Sequence, residues 1–250
     1  MARAIQVIGL EGLPEVRPGD DLVALLLGAL AAEGLALQDG DILVLTQKIV
    51  SKAEGRLISL SEIEPSAFAH TVAHRMGKDP RVIEVILREA RRIVRMDRQV
   101  LIVETPHGFV CANAGVDRSN VGEGRVALLP QDPDASARAI RREIKRRAGV
   151  EVAVLITDTF GRPWREGLTE VAIGVAGLAP LRDYRGQCDR FGVPLQATVV
   201  AIADELACAA GLVMEKLAGI PAAIIRGYAY EPQEGAASAL VRPPERDLFR

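Results

Sequence analysis

The stretch Ile156-Thr157-Asp158-Thr159-Phe160-Gly161-Arg162-Pro163-Trp164-Arg165 gathers a carboxylate, hydroxyls and two guanidinium groups directly after the apolar run Val152 to Ile156. Such a run reads as a sheet-core strand, and Gly161 with Pro163 reads as its abrupt stop, which puts Asp158 at the strand's end. Open sheets bind ligands outside the carboxyl ends of their strands, where loops vary without disturbing the core. The plainer alternative is a capped turn in which Asp158 or Thr159 satisfies backbone donors. Phe109 to Asn120 repeats the arrangement: a short apolar strand, small residues, then Asp117 and Asn120. Two such loops predict a site for Mg2+ or Mn2+, which favour oxygen ligands and take one or two carboxylates beside water and substrate phosphate. Thr159 and Asn120 are candidates to complete the shell. Two metals a few ångströms apart would neutralise the attacking and leaving oxygens of a phosphoryl transfer.

Leu43 to Arg56 leaves a further strand and carries Lys48 and Lys52, two of only five lysines against 26 arginines. A compact ammonium suits a phosphate contact made by a point donor, so one of the pair is a phosphate candidate and the other a solvated side chain. Val7 to Pro14 gives another strand followed by a glycine loop able to bring backbone amides to a nucleotide. Arg162 and Arg165 are grips for phosphate or carboxylate, unless one pairs with Glu166 or Glu170. No Gly-x4-Gly-Lys-Ser/Thr loop, Gly-x-Gly-x-x-Gly turn or Gly-x-Ser-x-Gly elbow occurs, and Cys111, Cys188 and Cys208 lack metal-ligand spacing. The chemistry expected is therefore phosphoryl transfer by positioning and charge neutralisation, without a covalent nucleophile.

Several elements must position these groups. Helix signals span Asp20 to Glu33, Ser66 to Met76, Pro80 to Met96 and Ala135 to Ala148. Strands are predicted near Ile5 to Ile8, Asp41 to Leu45, Val100 to Glu104, Phe109 to Ala112, Val126 to Leu129, Val152 to Ile156, Val171 to Val175 and Ala222 to Ile225. Pro106-His107-Gly108 makes Val100 to Glu104 and Phe109 to Ala112 a hairpin, so part of the sheet is antiparallel and the fold class is α+β, with mixed sheets and packed helices. With 49% hydrophobic and 26% charged residues, the 250-residue chain can bury a sizeable core. A net charge of −2 gives no reason to expect nucleic-acid binding. Leu22 to Ala32 is too short to span a membrane, Met1-Ala2-Arg3 opens no signal peptide, and three cysteines without a pairing pattern fit a reducing cytoplasm. His70 and His74 read as exposed helix rather than zinc ligands, the run Arg138, Arg141, Arg142, Lys145, Arg146, Arg147 as a solvated helix face, and Cys111 as a core residue. Trp164 is placed either to stack on a flat ligand or to wedge its loop against the core.

Four motifs, "EGLP" at Glu11 to Pro14, "TQKIVSKAEGR" at Thr46 to Arg56, "NAGVDRSN" at Asn113 to Asn120 and "ITDTFGRPWREG" at Ile156 to Gly167, together resemble the coenzyme F420-0:L-glutamate ligase (F420-0 gamma-glutamyl ligase) family. "AIGVAG", "DRFG", "ADELA" and "GIPAAIIRG" continue the resemblance in order, over nearly the whole chain. It implies a GTP-dependent ligase that joins L-glutamate to coenzyme F420-0, and then to F420-1 through γ-linkages, by way of an acyl phosphate. It also implies Mg2+ or Mn2+, with K+ assisting, a two-lobed fold and an intertwined homodimer. Carried over by motif, Asp117 and Asp158 are metal ligands, with Thr159 beside the second. Glu11, Gly12, Leu13, Pro14, Thr46, Gln47, Lys52 and Asn120 line the GTP site, joined by the loop from Met214 through Gly219, where Glu215 is the candidate third carboxylate. Asp117, Asp158, Lys52 and Arg162 are the catalytic candidates. Arg182 and Arg185, with Arg162 and Arg165, are expected to line a channel for the growing glutamate tail. The chain is expected to be a single ligase domain over residues 1–250, without the nitroreductase-like domain fused to some bacterial relatives. The residues alone leave open a metal-dependent phosphohydrolase or phosphotransferase.

Overall fold

The computed structural model describes residues 4–97 and 100–247. In chain order these form β1 (Gln6–Gly9), α1 (Leu22–Ala32), β2 (Ile42–Thr46), α2 (Gln47–Ala53), β3 (Leu57–Ser59), α3 (Ala67–Met76), α4 (Pro80–Arg88), β4 (Arg92–Asp97), β5 (Val100–Glu104), β6 (Val110–Ala112) and β7 (Arg125–Ala127). They continue as α5 (Pro133–Ala148), β8 (Ala153–Arg162), β9 (Arg165–Ala176), β10 (Arg182–Asp183), β11 (Val199–Val200), α6 (Ile202–Met214) and β12 (Ala222–Arg226).

The central sheet runs β1-β12-β2-β8-β9. Only β2 and β8 are parallel; every other neighbouring pair is antiparallel. With the β4-β5-β6 meander this makes the fold α+β with mixed sheets, as the predicted hairpin required. Strands β2 and β8 are covered on both faces, so they read as unbroken apolar runs rather than alternations. Leu43, Leu45, Val154 and Ile156 pack with α1 and α5 on one face. Ile42, Val44, Ala153 and Leu155 pack with α6 on the other. A third cluster joins α3, α4, β5 and β7.

Local chemistry sets the helix ends. Asp132 caps α5 by accepting from the Ala135 amide at 2.8 Å, Pro133 occupies its first turn, and Gly149 ends it at φ 74. Ser66 and Asp79 cap α3 and α4 in the same way.

Three expectations are corrected. The helix predicted over Pro80 to Met96 stops at Arg88; Arg92–Asp97 instead pairs antiparallel with β5, because Ile93, Val94 and Met96 lie beside the β-branched Val100–Glu104 run. Asp158 is not at a strand's end: β8 continues to Arg162 and turns at Pro163-Trp164 into β9, so Gly161 does not interrupt it. Helix α6 went unpredicted, since its alanine-rich sequence has no side-chain cap at Ala201 and little contrast between faces.

Candidate active site

Strand directions bring the predicted motifs to one edge of the central sheet. β1, β2 and β8 run towards it, and β12 and β9 run away from it. Glu11 to Pro14 therefore follow β1 there, Thr46 ends β2, the loop from Glu215 to Pro221 enters β12, and Asp158 and Thr159 lie on β8 as it leaves the sheet core. Backbone bonds clamp the edge: the Leu10 amide donates to Ala222 O at 2.8 Å, and the Thr46 amide to Pro221 O at 2.9 Å.

Asp117 reaches this edge from a separate segment. The chain after β6 passes through three consecutive left-handed residues, Asn113, Ala114 and Gly115 (φ 54, 56 and 69). Gly115 has no room for a side chain, because a Cβ there would lie 2.7 Å from Leu129 Cδ2. Asp117 then exchanges backbone hydrogen bonds with Ala127 at 3.0 and 2.8 Å, which holds its backbone in place. The Lys48 ammonium meets Asp117 Oδ2 at 2.7 Å and donates to Ser119 Oγ at 2.6 Å, while the Ser119 amide donates to Asp117 Oδ1 at 2.7 Å. Burial alone would raise the Asp117 carboxyl, but Lys48 and Ser119 outweigh it and hold the group below its ordinary range.

Asp158 is the electrostatic opposite. Burial pushes its carboxyl up to about 7, and the negative charges of Glu170 and Asp117 add to the rise against the Thr159 amide and Lys216. It lies between Ile156 and Phe160, whose side chains pack on the α1/α5 face, so alternation turns it to that face. Thr157 and Thr159 turn to the α6 face. There the Thr159 hydroxyl donates to Glu170 Oε1 at 2.7 Å, across the register that pairs the two residues. The Thr157 hydroxyl is wholly buried and has no hydrogen-bond partner among the described residues.

Sequence reasoning missed Glu170 and Thr157 as members of this cluster, and took Glu170 only as a surface partner for an arginine. The carboxylate that the structure sets beside Asp158 and Thr159 is Glu170. Glu215, the predicted third carboxylate, caps α6 in an unusual backbone conformation (φ 39) and is exposed. Met214 is buried in the core against α6's neighbours, and Gly219 is exposed in the entry loop. Lys52 is 5% exposed and ion-paired with Glu15, just after the Glu11 to Pro14 loop. Gln47 is buried and accepts from Ser51 Oγ at 2.8 Å. Asn120 is exposed in a left-handed conformation (φ 55). Arg162 ends β8 and donates to Glu166 O at 2.9 Å; Arg165 opens β9. Trp164 is 79% exposed at the hairpin turn, which corrects the idea that it wedges the loop against the core. His70 and His74 are both exposed on α3.

Arg182 departs from the channel expectation within one chain. Arg182 lies 5.8 Å above the Tyr228 ring and donates to Ala229 O, beyond the far end of β12, and Arg185 pairs with Asp183 at 2.6 Å. Arg182 therefore sits towards the end of the sheet opposite Asp158.

No group of three or more His, Cys, Asp or Glu side chains among the described residues forms a metal cage. The chemistry of the donors suits a cation that keeps most of its ligands as water and phosphate oxygens, since Asp117 and Glu170 are near enough for their charge to raise the Asp158 carboxyl. A cation would relieve that repulsion. No helix among the described residues is long and apolar enough to cross a membrane.

Comparison with known proteins shows agreement in length and identity. The family model described as F420-0:Gamma-glutamyl ligase matches residues 12–227. The chain is 51% identical to the coenzyme F420:L-glutamate ligase of Methanothermobacter thermautotrophicus, over 98% of this chain and 99% of that protein. It is 54% identical to the protein of the same description from Methanopyrus kandleri, over 94% of each, and 46% identical to that of Methanocaldococcus jannaschii, over 99% of this chain and 98% of the relative.

Proposed function

The chain belongs to the F420-0:gamma-glutamyl ligase family, and from that premise we propose that it is a ligase of coenzyme F420 biosynthesis, joining L-glutamate to the carboxylate of F420-0 and then of F420-1 at the expense of GTP. The observation that carries this reading is the convergence of five sequence-distant segments on one sheet edge, with Asp117 and Asp158 at its centre.

A carboxylate does not condense with an amine in neutral water, because no good leaving group is present. In the proposed reaction a carboxylate oxygen of the acceptor attacks the γ-phosphorus of GTP and GDP departs, leaving an acyl phosphate. The α-amine of glutamate then attacks the acyl carbon, loses a proton, and expels inorganic phosphate with the C–O bond. Phosphoryl transfer needs in-line positioning and charge neutralisation rather than a protein nucleophile, which agrees with an edge of Asp, Lys and Arg.

Lys52, buried beside the Glu11 to Pro14 loop, is assigned to the nucleotide phosphates, with Thr46, Gln47 and Asn120 around the nucleotide. Lys48 positions Asp117 through its 2.7 Å ion pair. Asp117 and Asp158 would hold Mg2+ or Mn2+, with Thr159 adding its main-chain oxygen, since its hydroxyl is engaged by Glu170 on the other face. The cation would supply charge neutralisation at the transferring phosphoryl group. Arg162 and Arg165, on the protruding hairpin, are available to the anionic substrates. The same edge leaves Leu212, Leu217 and Leu168 largely exposed, and a homodimer that covers them is part of the proposal; a monomer in sedimentation velocity would remove that part.

Mass spectrometry of F420-0 incubated with protein, GTP, Mn2+ and L-glutamate tests the activity. Products carrying one or more added glutamates are expected. Release of phosphate from GTP at the same rate without acceptor and glutamate would favour a phosphohydrolase instead.

A further inference from the structure

Helix α5 carries six cationic side chains, and the structure neutralises four of them. Arg146 and Arg147 pair with Glu143, Arg147 also with Asp21, and Lys145 with Glu151. Arg141 meets Glu234 at 2.8 Å and Glu151 at 3.2 Å, and donates from Nε to Val152 O at 3.0 Å. Arg138 and Arg142 have no hydrogen-bond or ion-pair partner among the described residues. These two stand one turn apart on one helix face, and both line a groove of about 570 Å³. The helix is therefore not simply a solvated face.

The groove's opposite wall is built independently of any ligand. Asp134, in the first turn of α5, accepts from the Ala237 amide at 2.9 and 3.1 Å. Leu178 and Pro232 form a β-bridge, and Gly235 packs so closely that a Cβ would lie 2.1 Å from Leu178 O. Pro180, Ala236 and Ala239 give this wall an apolar lining. Glu234, the carboxylate that lines the groove, is already engaged by Arg141, so two positive charges remain unmatched.

We propose that this groove between α5 and residues 234–239 is a second small-molecule site, which binds a phosphate group between Arg138 and Arg142. Two forked guanidinium groups on successive turns can share one tetrahedral dianion, whereas a planar carboxylate is satisfied by one of them. The apolar wall accommodates an uncharged body attached to the phosphate. The site is separate from the acidic edge: Arg141 bonds to the residue just before β8, and Asp158 lies six residues further along, roughly 20 Å at strand rise. The inference does not depend on the ligase reading.

Phenylglyoxal labelling of the full chain, mapped by peptide mass spectrometry, tests it with inorganic phosphate and succinate as probes. Phosphate is expected to slow labelling of Arg138 and Arg142 while leaving the exposed Arg146 unchanged, and succinate to protect much less. In calorimetry with inorganic phosphate, Arg138→Ala or Arg142→Ala should each weaken this binding about tenfold, equivalent to about 1.4 kcal/mol for a lost charge-assisted contact. Equal labelling of Arg138 and Arg142 with and without phosphate would overturn the proposal. Equal protection by succinate would replace phosphate with a general anion, and also refute it.

Discussion

At the scale of single residues, the two aspartates of the acidic edge are shifted in opposite directions. Lys48 and Ser119 favour the Asp117 carboxylate, whereas burial and neighbouring carboxylates disfavour the anion at Asp158. A half-buried carboxyl raised to about 7 costs stability once pH exceeds its unfolded value, and the cost is complete above the folded value. Asp158→Asn removes that cost, so its melting temperature at pH 8 is expected to equal or exceed the parent's. Its ligation rate is expected to fall by about 10² to 10³, the range for loss of one group that stabilises a transition state. A variant that is active, or inactive only because it unfolds, would remove Asp158 from the site.

Thr157 makes a second residue-scale prediction. Its buried hydroxyl lacks a partner, and an unsatisfied buried polar group costs about 1–3 kcal/mol. Thr157→Val keeps the shape and removes the hydroxyl, so stability should rise by about 1 kcal/mol in urea denaturation. A lower midpoint at unchanged m-value would contradict this.

At the scale of elements, Asp117, Asp158 and the Lys48/Lys52 pair were legible because each follows a short apolar run that the chain builds as a strand. Glu170 was not legible. Its place opposite Thr159 depends on the β8–β9 register, which is set by the Pro163-Trp164 turn and by shifts at Ile156/Thr157 and Gly161/Arg162. Lys48 and Lys52 could be picked out as a pair, but only the fold separates the one that touches Asp117 from the one paired with Glu15. The same limit explains α4, where apolar spacing continues past Arg88 although the chain has already turned into a hairpin.

The α3–α4 pair allows a pH prediction. The Glu84 carboxylate accepts from the Ser66 amide at 3.0 Å and pairs with Arg88 at 3.0 Å, which holds its carboxyl down at about 2. A depressed carboxyl contributes stability that is present above its unfolded value near 4.5 and is lost as pH falls towards about 2. Glu84→Gln should therefore destabilise the protein by about 1 kcal/mol at pH 7, with the gap closing between pH 4.5 and 2. A pH-independent gap in chemical denaturation would mean that the amide bond and ion pair contribute nothing through charge.

At the scale of the whole molecule, strand direction separates two clusters of polar side chains. One edge collects the acidic cluster and the Glu11 to Pro14 and Glu215 to Pro221 loops; the other holds Arg182 and the α5 groove. That polarity follows from strand direction, and a reading of linear motifs could not assign the later arginines to an edge. In the proposed reaction a phosphoryl group passes to the substrate carboxylate at the acidic edge before the amide forms. The most direct test uses F420-0 labelled with 18O in its carboxylate, incubated with the protein, GTP, Mn2+ and L-glutamate. One 18O should appear in inorganic phosphate for each amide formed, and none in GMP. Product formation with label in GMP, or with no label in phosphate, would contradict the account.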